Sequence, residues 1–280
     1  MYNVEQWISE NIDLIKKQTY PNFQVILIDD ISSDKTITRT QKAINGDPRF
    51  KLIINQEKKY KTQNVVDGIA YAKPQEDDVI ILLDGDDKFA HENVLSIIEK
   101  TYKTKSCWMT YGSYETSLAK RPKRCIPYDS KVILNNTFRS NPWLASHLKT
   151  FKFKLWQQLD MNIFQIKQKE INHVLWRTLL KGKFRHWYHW KNIKANDLHE
   201  PSGKYIKRID DKAFSFPMLE ISGDKAFFIE DILYIYRIDI IHEDGPIKNY
   251  GSNKNEKWHT RLIREVLINK NKYQRLEELQ

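Results

Sequence analysis

A dense acidic motif, Asp84-Gly85-Asp86-Asp87, follows directly after an apolar run. Three carboxylates within four residues repel one another, so the fold must supply a compensating cation. Carboxylate oxygens are preferred ligands of Mg²⁺ and Mn²⁺, and such an ion can bridge them to a substrate diphosphate. The motif therefore predicts a divalent metal site. The plain alternative is an acidic turn that caps the next helix, because a lone Asp-x-Asp occurs often by chance.

A second acidic pair, Asp29-Asp30, ends another apolar run. A carboxylate there could accept hydrogen bonds from a nucleotide base or from a ribose hydroxyl. The competing interpretation is a helix N-cap, a role that Asp34 could also serve. Lys61 and Asn64 lie between the two acidic clusters. Lys61 could contact phosphate, although exposed lysines are usually uninformative, and Asn64 is ambiguous.

Short apolar runs alternate with stretches of helical spacing in the first part of the chain. Strands are predicted at 24–28, 50–54, 79–83 and 107–111, and helices at 4–17, 62–72 and 91–103. This alternation is typical of an α/β fold with a doubly wound, mainly parallel sheet and helices on both faces. Such sheets bind ligands at the carboxyl ends of their strands. Both acidic clusters lie at such ends.

The alternation fades after residue 112. The spacing predicts helix over 142–180, helix from Asp210 to about Ile221, β structure over 225–237 and a final amphipathic helix over 256–269. We therefore expect a loose division into residues 1–112 and 113–280 within one continuous domain.

Charge is distributed unevenly along the chain. Residues 100–194 hold 20 Lys and Arg but four Asp and Glu, and six of the eight tryptophans, within a chain of net charge +10. Clustered cations and aromatic rings suit an anionic or carbohydrate partner, or a solvated basic surface over an aromatic core. Cys107 and Cys125 indicate two free thiols in a reducing compartment. No export signal or membrane span is expected, which favours a soluble cytoplasmic protein that its basic face could recruit to a membrane.

Several motifs together resemble glycosyltransferase family 2 and its GT-A relatives. The segment 22–36 carries the main likeness, and 2–8, 55–72 and 83–87 match in the same order. The resemblance covers residues 2 to about 112, and the ordered combination is specific although each motif alone is not. It implies a GT-A fold with a mixed α/β extension on the acceptor side. Residues 1–112 would then bind the nucleotide-sugar and 113–280 the acceptor.

The resemblance implies a metal-dependent, inverting hexosyltransferase. Its donor would be a nucleotide-diphospho-sugar, often a UDP-sugar, and its cofactor Mn²⁺ or Mg²⁺. By position, Asp29 or Asp30 would contact the base or ribose, together with Asn64 and Lys61. Asp84 would contact the ribose or the metal. The main metal ligand would be Asp86, with Asp87 behind it.

An inverting transferase needs one carboxylate as general base. In the family this base usually lies in an acidic pair at the start of a later helix, and Asp210-Asp211 resembles that segment. We favour Asp211, with Asp210 as alternate; the competing role is an N-cap pair. His242 could complete the metal shell, although a lone histidine is more often structural.

The acceptor would be a glycan, a lipid-linked molecule or a protein, with no specific nucleic acid. A second hypothesis is a catalytically impaired GT-A protein that binds carbohydrate or nucleotide. A sugar-activating nucleotidyltransferase would want a glycine-rich basic loop, which the sequence lacks. A nucleic-acid-binding protein would show steeply salt-dependent binding to polyanions.

The sequence departs from the family pattern at its start. The family places an apolar central strand before the Tyr-Asn pair, whereas Met1 directly precedes Tyr2 here. Ile31 also stands where the family usually has glycine. We expect the sheet to show an unpaired edge beside the strand at 24–28, with a poorer donor site.

Overall fold

A computed structural model describes residues 1–118, 124–207, 210–238 and 254–279. The strands are β1 Val25–Asp29, β2 Phe50–Ile54, β3 Val79–Ile81, β4 Lys88–Phe89, β5 Met109–Gly112, β6 Glu115–Thr116, β7 Ser146–Lys152, β8 Ala226–Ile229 and β9 Tyr234–Tyr236. The helices are α1 Ile8–Lys16, α2 Thr36–Ile44, α3 Tyr60–Ala72, α4 Val94–Lys105, α5 Ser130–Leu134, α6 Phe153–Gln157, α7 Gln168–Leu180, α8 Phe184–Trp190, α9 Ala195–Leu198, α10 Asp210–Ser222 and α11 Lys254–Asn269.

The strands form three sheets. β1 and β2 pair in parallel, with Val25 opposite Phe50. The second sheet has the order β3-β7-β5-β8, in which β7 runs antiparallel to both of its neighbours and β5 runs parallel to β8. The third has the order β4-β9-β6. Because β5 pairs with both β7 and β8, the two predicted halves of the chain share one sheet.

Two apolar cores lie against these sheets. The smaller one gathers one face of α1, including Ile8 and Ile12, with α4 and the side chains of Val79 and Ile81. The larger one packs α7, α10 and α11 around Phe151 on β7. The three- and four-residue spacing of apolar side chains in α1 therefore gives the buried face that the sequence predicts.

The helix predicted over 142–180 is wrong in its first part, where the structure has strand β7. Thr150 pairs with Thr110 of β5 and with Ile81 of β3, so β7 is central in its sheet. Leu148, Phe151 and Leu155 mimic helical spacing only because the chain passes from β7 into α6 between them. Sheet pairing therefore overrides the local periodicity.

Strands β1 and β3 belong to different sheets, and Met1 lies between β1 and the acidic motif that follows β3. Within the described residues, β1 has β2 as its strand partner and β3 has β7. The Met1 nitrogen donates to the Ile28 carbonyl at 2.6 Å, and the Met1 carbonyl accepts from the Asp30 N–H at 2.8 Å. On the other side of Met1, a Cβ added to Gly85 would lie 2.6 Å from the Met1 Cβ. Met1 thus packs between the end of β1 and the acidic motif, and only glycine fits opposite it at position 85.

A buried ion pair links Arg139 to Glu220 of α10, and Arg139 in turn bonds to the end of α11. The Arg139 guanidinium donates twice to the Glu220 carboxylate, at 2.7 Å each, and both side chains are almost fully buried. Arg139 also donates to the carbonyl of Leu267, and the Tyr273 N–H donates to Glu220. The pair therefore fastens the C-terminal segment beneath α10.

Arg139→Leu should lower the free energy of unfolding by about 3–5 kcal/mol, because it leaves the Glu220 carboxylate buried without its cation. Urea denaturation followed by circular dichroism measures this. The double variant Arg139→Leu/Glu220→Leu should lose less than the single variant, since no uncompensated charge remains. Equal or additive losses would contradict this role for the pair.

Candidate active site

The carboxyl end of β1 carries two buried carboxylates that organise the adjacent loops. Asp29 accepts hydrogen bonds from the Ser32 N–H at 2.9 Å and from the Ser32 hydroxyl at 2.5 Å. Asp34 accepts from the Thr36 N–H at the first residue of α2. Asp29 therefore bonds to the loop ahead of α2 rather than to the helix itself.

Asp30 holds the loop that leads into α3. Its carboxylate accepts from the Asn55 side chain and from the backbone N–H groups of Lys59 and Tyr60, at 2.8 to 3.0 Å. The Asn55 side chain also donates to the side-chain amide oxygen of Asn64 at 2.8 Å. Burial raises the Asp30 pKa, but these hydrogen bonds outweigh it and hold the pKa below its usual value. Asp30 and Asn64 thus belong to one network around the start of α3.

The carboxyl end of β3 brings Asp84 against Lys61 of α3. The Lys61 ammonium lies 2.7 Å and 3.0 Å from the two Asp84 oxygens, and the Asp84 side chain is partly exposed. Burial raises the Asp84 pKa, but the charges of Lys61, His147 and Lys149 outweigh it and hold the pKa well below its usual range. Asp84 is therefore ionised and lies within a cluster of cations.

Asp87 anchors the acidic motif to β9. Its two oxygens accept from the Tyr234 hydroxyl and from the Arg237 N–H, each at 2.7 Å, in a fully buried setting. Burial raises the Tyr234 pKa well above its usual value, and Asp84, Asp87 and Asp86 raise it further. The anchoring of Asp87 leaves Asp84 and Asp86, which are less buried, as the carboxylates that can reach a ligand.

Strand β7 supplies two basic side chains, of which Lys149 was not predicted from the sequence. His147 stacks on the Tyr234 ring at 4.4 Å between ring centroids, and both His147 and Lys149 act electrostatically on Asp84. Lys149 is buried, and its ammonium lies 3.8 Å from an Asp211 oxygen. The alternation of His147 and Lys149 about Leu148 is the signal that could have indicated a strand here.

The candidate base Asp211 lies in the first turn of α10 with a partly exposed carboxylate. Lys149 contacts Asp211 and also acts electrostatically on Asp84, so one lysine relates the two carboxylates. Asp210 begins the same helix, but its side chain lies outside the described part of the structure. Beside them, the Lys212 ammonium lies 5.0 Å from the centroid of the Trp143 ring, which packs edge-on against Phe216.

The described residues contain no cluster of three or more His, Cys, Asp or Glu side chains that could hold a metal ion. His242 lies outside the described residues. Asp84 and Asp86 still provide two hard oxygen donors in the chemistry that Mg²⁺ and Mn²⁺ prefer. Since Mg²⁺ commonly binds one or two carboxylates together with substrate phosphates, this pair fits a metal that arrives with a diphosphate.

Comparison with known proteins settles the family of this site. A family model described as glycosyl transferase family 2 matches residues 1–160. The chain belongs to glycosyl transferase family 2. This match confirms the resemblance that the acidic motifs carry, and it extends beyond residue 112 into β7.

Two relatives illustrate the range of similarity. A glycosyltransferase of Streptococcus pneumoniae, GlyG, is 28% identical over 244 residues, which cover 85% of this chain and 68% of that protein. An Escherichia coli enzyme, UDP-Glc:alpha-D-GlcNAc-diphosphoundecaprenol beta-1,3-glucosyltransferase WfgD, is 33% identical over 114 residues, which cover 41% of this chain and 43% of that protein.

The fold matches the crystal structure of S. aureus TarS 1-349 in complex with UDP, with a TM-score of 0.56 and 15% sequence identity. The match covers 97% of this chain and 64% of the TarS chain, so the chain spans less than two thirds of that protein and less than half of the E. coli enzyme. This likeness confirms the predicted GT-A fold. No helix in the described ranges has the length and apolarity to cross a membrane.

Asp30→Ala should lower the free energy of unfolding by about 2–4 kcal/mol, because three N–H donors lose their common acceptor. The Asp30 pKa is lower in the folded state, so its contribution is present above the unfolded pKa near 4 and is lost as pH falls through the folded pKa. Urea denaturation at pH 7 and at pH 3 measures both effects. Asp231→Ala, at an exposed carboxylate, is the matched control. Equal stability of Asp30→Ala and wild type at pH 7 would contradict this role.

Proposed function

We propose that the protein is an inverting, metal-dependent hexosyltransferase that moves a sugar from a UDP-sugar to an acceptor hydroxyl. The observation that carries this proposal is the position of Lys149. This buried cation contacts Asp211 and acts on Asp84, so it relates the candidate base to the acidic motif. Asp211 also accepts from the Lys212 backbone N–H at 2.8 Å, as a residue at a helix start can, but that bond does not require a buried lysine from a central strand.

The donor would lie across the carboxyl ends of β1 and β3. Asp29 and Asp30 would shape its nucleoside end through the loops that they hold, with Asn64 in the same network. Lys61 would contact the diphosphate, exchanging part of its pairing with Asp84 for phosphate oxygens. Lys61 suits this role because a lysine ammonium is a compact positive charge on a flexible side chain, which can turn from Asp84 towards the diphosphate.

Asp86 and Asp84 would hold Mn²⁺ or Mg²⁺. When bound, the metal stabilises the negative charge that develops on the departing diphosphate. Asp87 would fix the backbone of the motif through Tyr234 and Arg237, so that Asp84 and Asp86 keep their orientation. A structural role for Asp87 explains why it is buried, whereas Asp84 and Asp86 are more exposed.

The transfer would be a single displacement. Asp211 takes the proton of the acceptor hydroxyl as the acceptor oxygen bonds to the anomeric carbon. The bond from that carbon to the diphosphate oxygen breaks, and its electron pair leaves with UDP. Attack opposite the leaving group inverts the anomeric centre. Lys149 would orient the Asp211 carboxylate before the acceptor arrives.

The acceptor would lie beside Asp211 and against the half-buried ring of Trp143, since aromatic rings stack on the apolar faces of sugars. A lipid-linked acceptor is named for the E. coli relative, and we propose the same class here. Cys107 and Cys125 are both buried, and we propose a reducing, cytoplasmic location.

Asp211→Asn should lower kcat for sugar transfer by about 10²–10⁴-fold, because the general base is lost. UDP release from a panel of UDP-hexoses measures turnover, and nuclear magnetic resonance of the product reports its anomeric configuration. UDP affinity should stay unchanged, which separates a lost base from a lost fold. Asp224→Asn, at an exposed carboxylate just beyond α10, is the matched control.

If Asp211→Asn keeps full activity and Asp210→Asn loses most of it, the general base is Asp210 rather than Asp211. Activity in both variants would contradict the proposed mechanism. UDP binding without turnover of any UDP-hexose would favour a nucleotide-binding protein that keeps the fold.

A further inference from the structure

Helices α7 and α8 form a hairpin that turns large apolar side chains towards solvent. Trp176, Leu180, Phe184 and Tyr188 are exposed by 59%, 68%, 67% and 64%. Each helix contributes an i,i+4 pair, and these pairs flank the turn 181–183. We name these four side chains the apolar tip of the hairpin.

The apolar tip is not a misplaced part of the core. On α7 the buried positions are Ile171, Val174 and Thr178, which lie on the side of the helix opposite Trp176. On α8 Trp190 is buried and donates its indole N–H to the Trp258 carbonyl. Both helices therefore have a complete inward face, and the four exposed side chains form a second, outward one.

The hairpin itself carries charge of one sign, although Glu265 of α11 lies near its base. Residues 171–194 contain six Lys and Arg and no Asp or Glu. Lys181, Lys183, Arg185 and Lys191 are all exposed. Lys191 also lies over the ring of Tyr188, 5.0 Å from its centroid. A cationic surface that surrounds exposed apolar groups attracts a partner that is negative outside and apolar beneath.

We infer that the α7–α8 hairpin docks the protein on an anionic membrane surface. Tryptophan and tyrosine favour the headgroup level of a bilayer, and amphipathic surfaces bind there through apolar insertion together with attraction of Lys and Arg to anionic lipids. Lysine is depleted from protein–protein interfaces, which argues against a protein partner at this tip. The exposed aliphatic Leu180 argues against a nucleic acid, which offers stacking rather than an apolar interior.

This inference is independent of the proposed transfer reaction, because vesicle binding needs neither donor nor acceptor. The experiment is flotation of the full chain with vesicles of phosphatidylglycerol and phosphatidylcholine, against vesicles of phosphatidylcholine alone. We expect binding to the anionic vesicles only, and weaker binding as salt screens the charges. Three neutralising changes, Lys181→Gln, Lys183→Gln and Arg185→Gln, should together lower partitioning by about 100-fold, at about fivefold per charge.

A second variant tests apolar insertion. Trp176→Ser, Leu180→Ser, Phe184→Ser and Tyr188→Ser together should abolish flotation while leaving thermal stability unchanged, since all four side chains are exposed. The matched control changes two exposed apolar residues elsewhere, Tyr71→Ser and Leu134→Ser, and should float like wild type.

Three results would overturn the inference. One is equal flotation of the apolar-tip variant and wild type, which would mean that the hairpin binds polyanions by charge alone, without apolar insertion. Another is no flotation of the wild type with anionic vesicles. The third is a wild type that self-associates in solution through the apolar tip and does not float, which would make this face a contact between copies of the chain.

Discussion

The site depends on how the fold compensates the carboxylates that follow β1 and β3, two strands of different sheets that both lead to the surroundings of Met1. β1 ends in Asp29-Asp30, and β3 runs into the acidic motif at Asp84. Like charges this close would disrupt the site unless each found a partner. Backbone N–H groups compensate Asp30, Lys61 compensates Asp84, and the Tyr234 hydroxyl with a backbone N–H compensates Asp87.

These partners come from separate parts of the chain, and this is why the site holds the two halves of the protein together. Lys61 lies on α3, whereas Lys149 lies on β7 and Tyr234 on β9. A change in any one of these elements therefore alters the charge balance at the same site. The hairpin formed by α7 and α8 stands apart, because its exposed groups take no part in this compensation. Membrane docking is thus assigned to α7 and α8, whereas sugar transfer is assigned to the residues that follow β1 and β3.

Much of the first 112 residues could be predicted from the sequence. Strand β1 was predicted at 24–28 and lies at Val25–Asp29, and α3 was predicted at 62–72 and lies at Tyr60–Ala72. Wholly apolar runs that end in acidic residues indicate buried strands directly, because few other elements combine those features. The family follows from the same motifs in order, and the comparisons confirm it.

The rest depended on contacts between distant residues. β7 was predicted as helix because its apolar positions continue into α6 with helical spacing, and only pairing with β5 and β3 makes it a strand. Lys149 was missed for that reason. The burial of Asp87 was equally hidden, since its partners lie about 150 positions further along the chain. The sequence shows that Asp84, Asp86 and Asp87 lie close together, but only the fold shows that Asp87 is the buried one.

The most direct test of this account is a calorimetric titration of UDP into the protein, with and without Mn²⁺, for wild type and Asp86→Ala. The account predicts binding that requires Mn²⁺ in the wild type and is lost in Asp86→Ala, with both proteins equally stable. Binding of equal affinity without metal, or in Asp86→Ala, would contradict the assignment of Asp86 as a metal ligand. Failure of UDP, GDP and other nucleotides to bind at all would contradict the donor site itself.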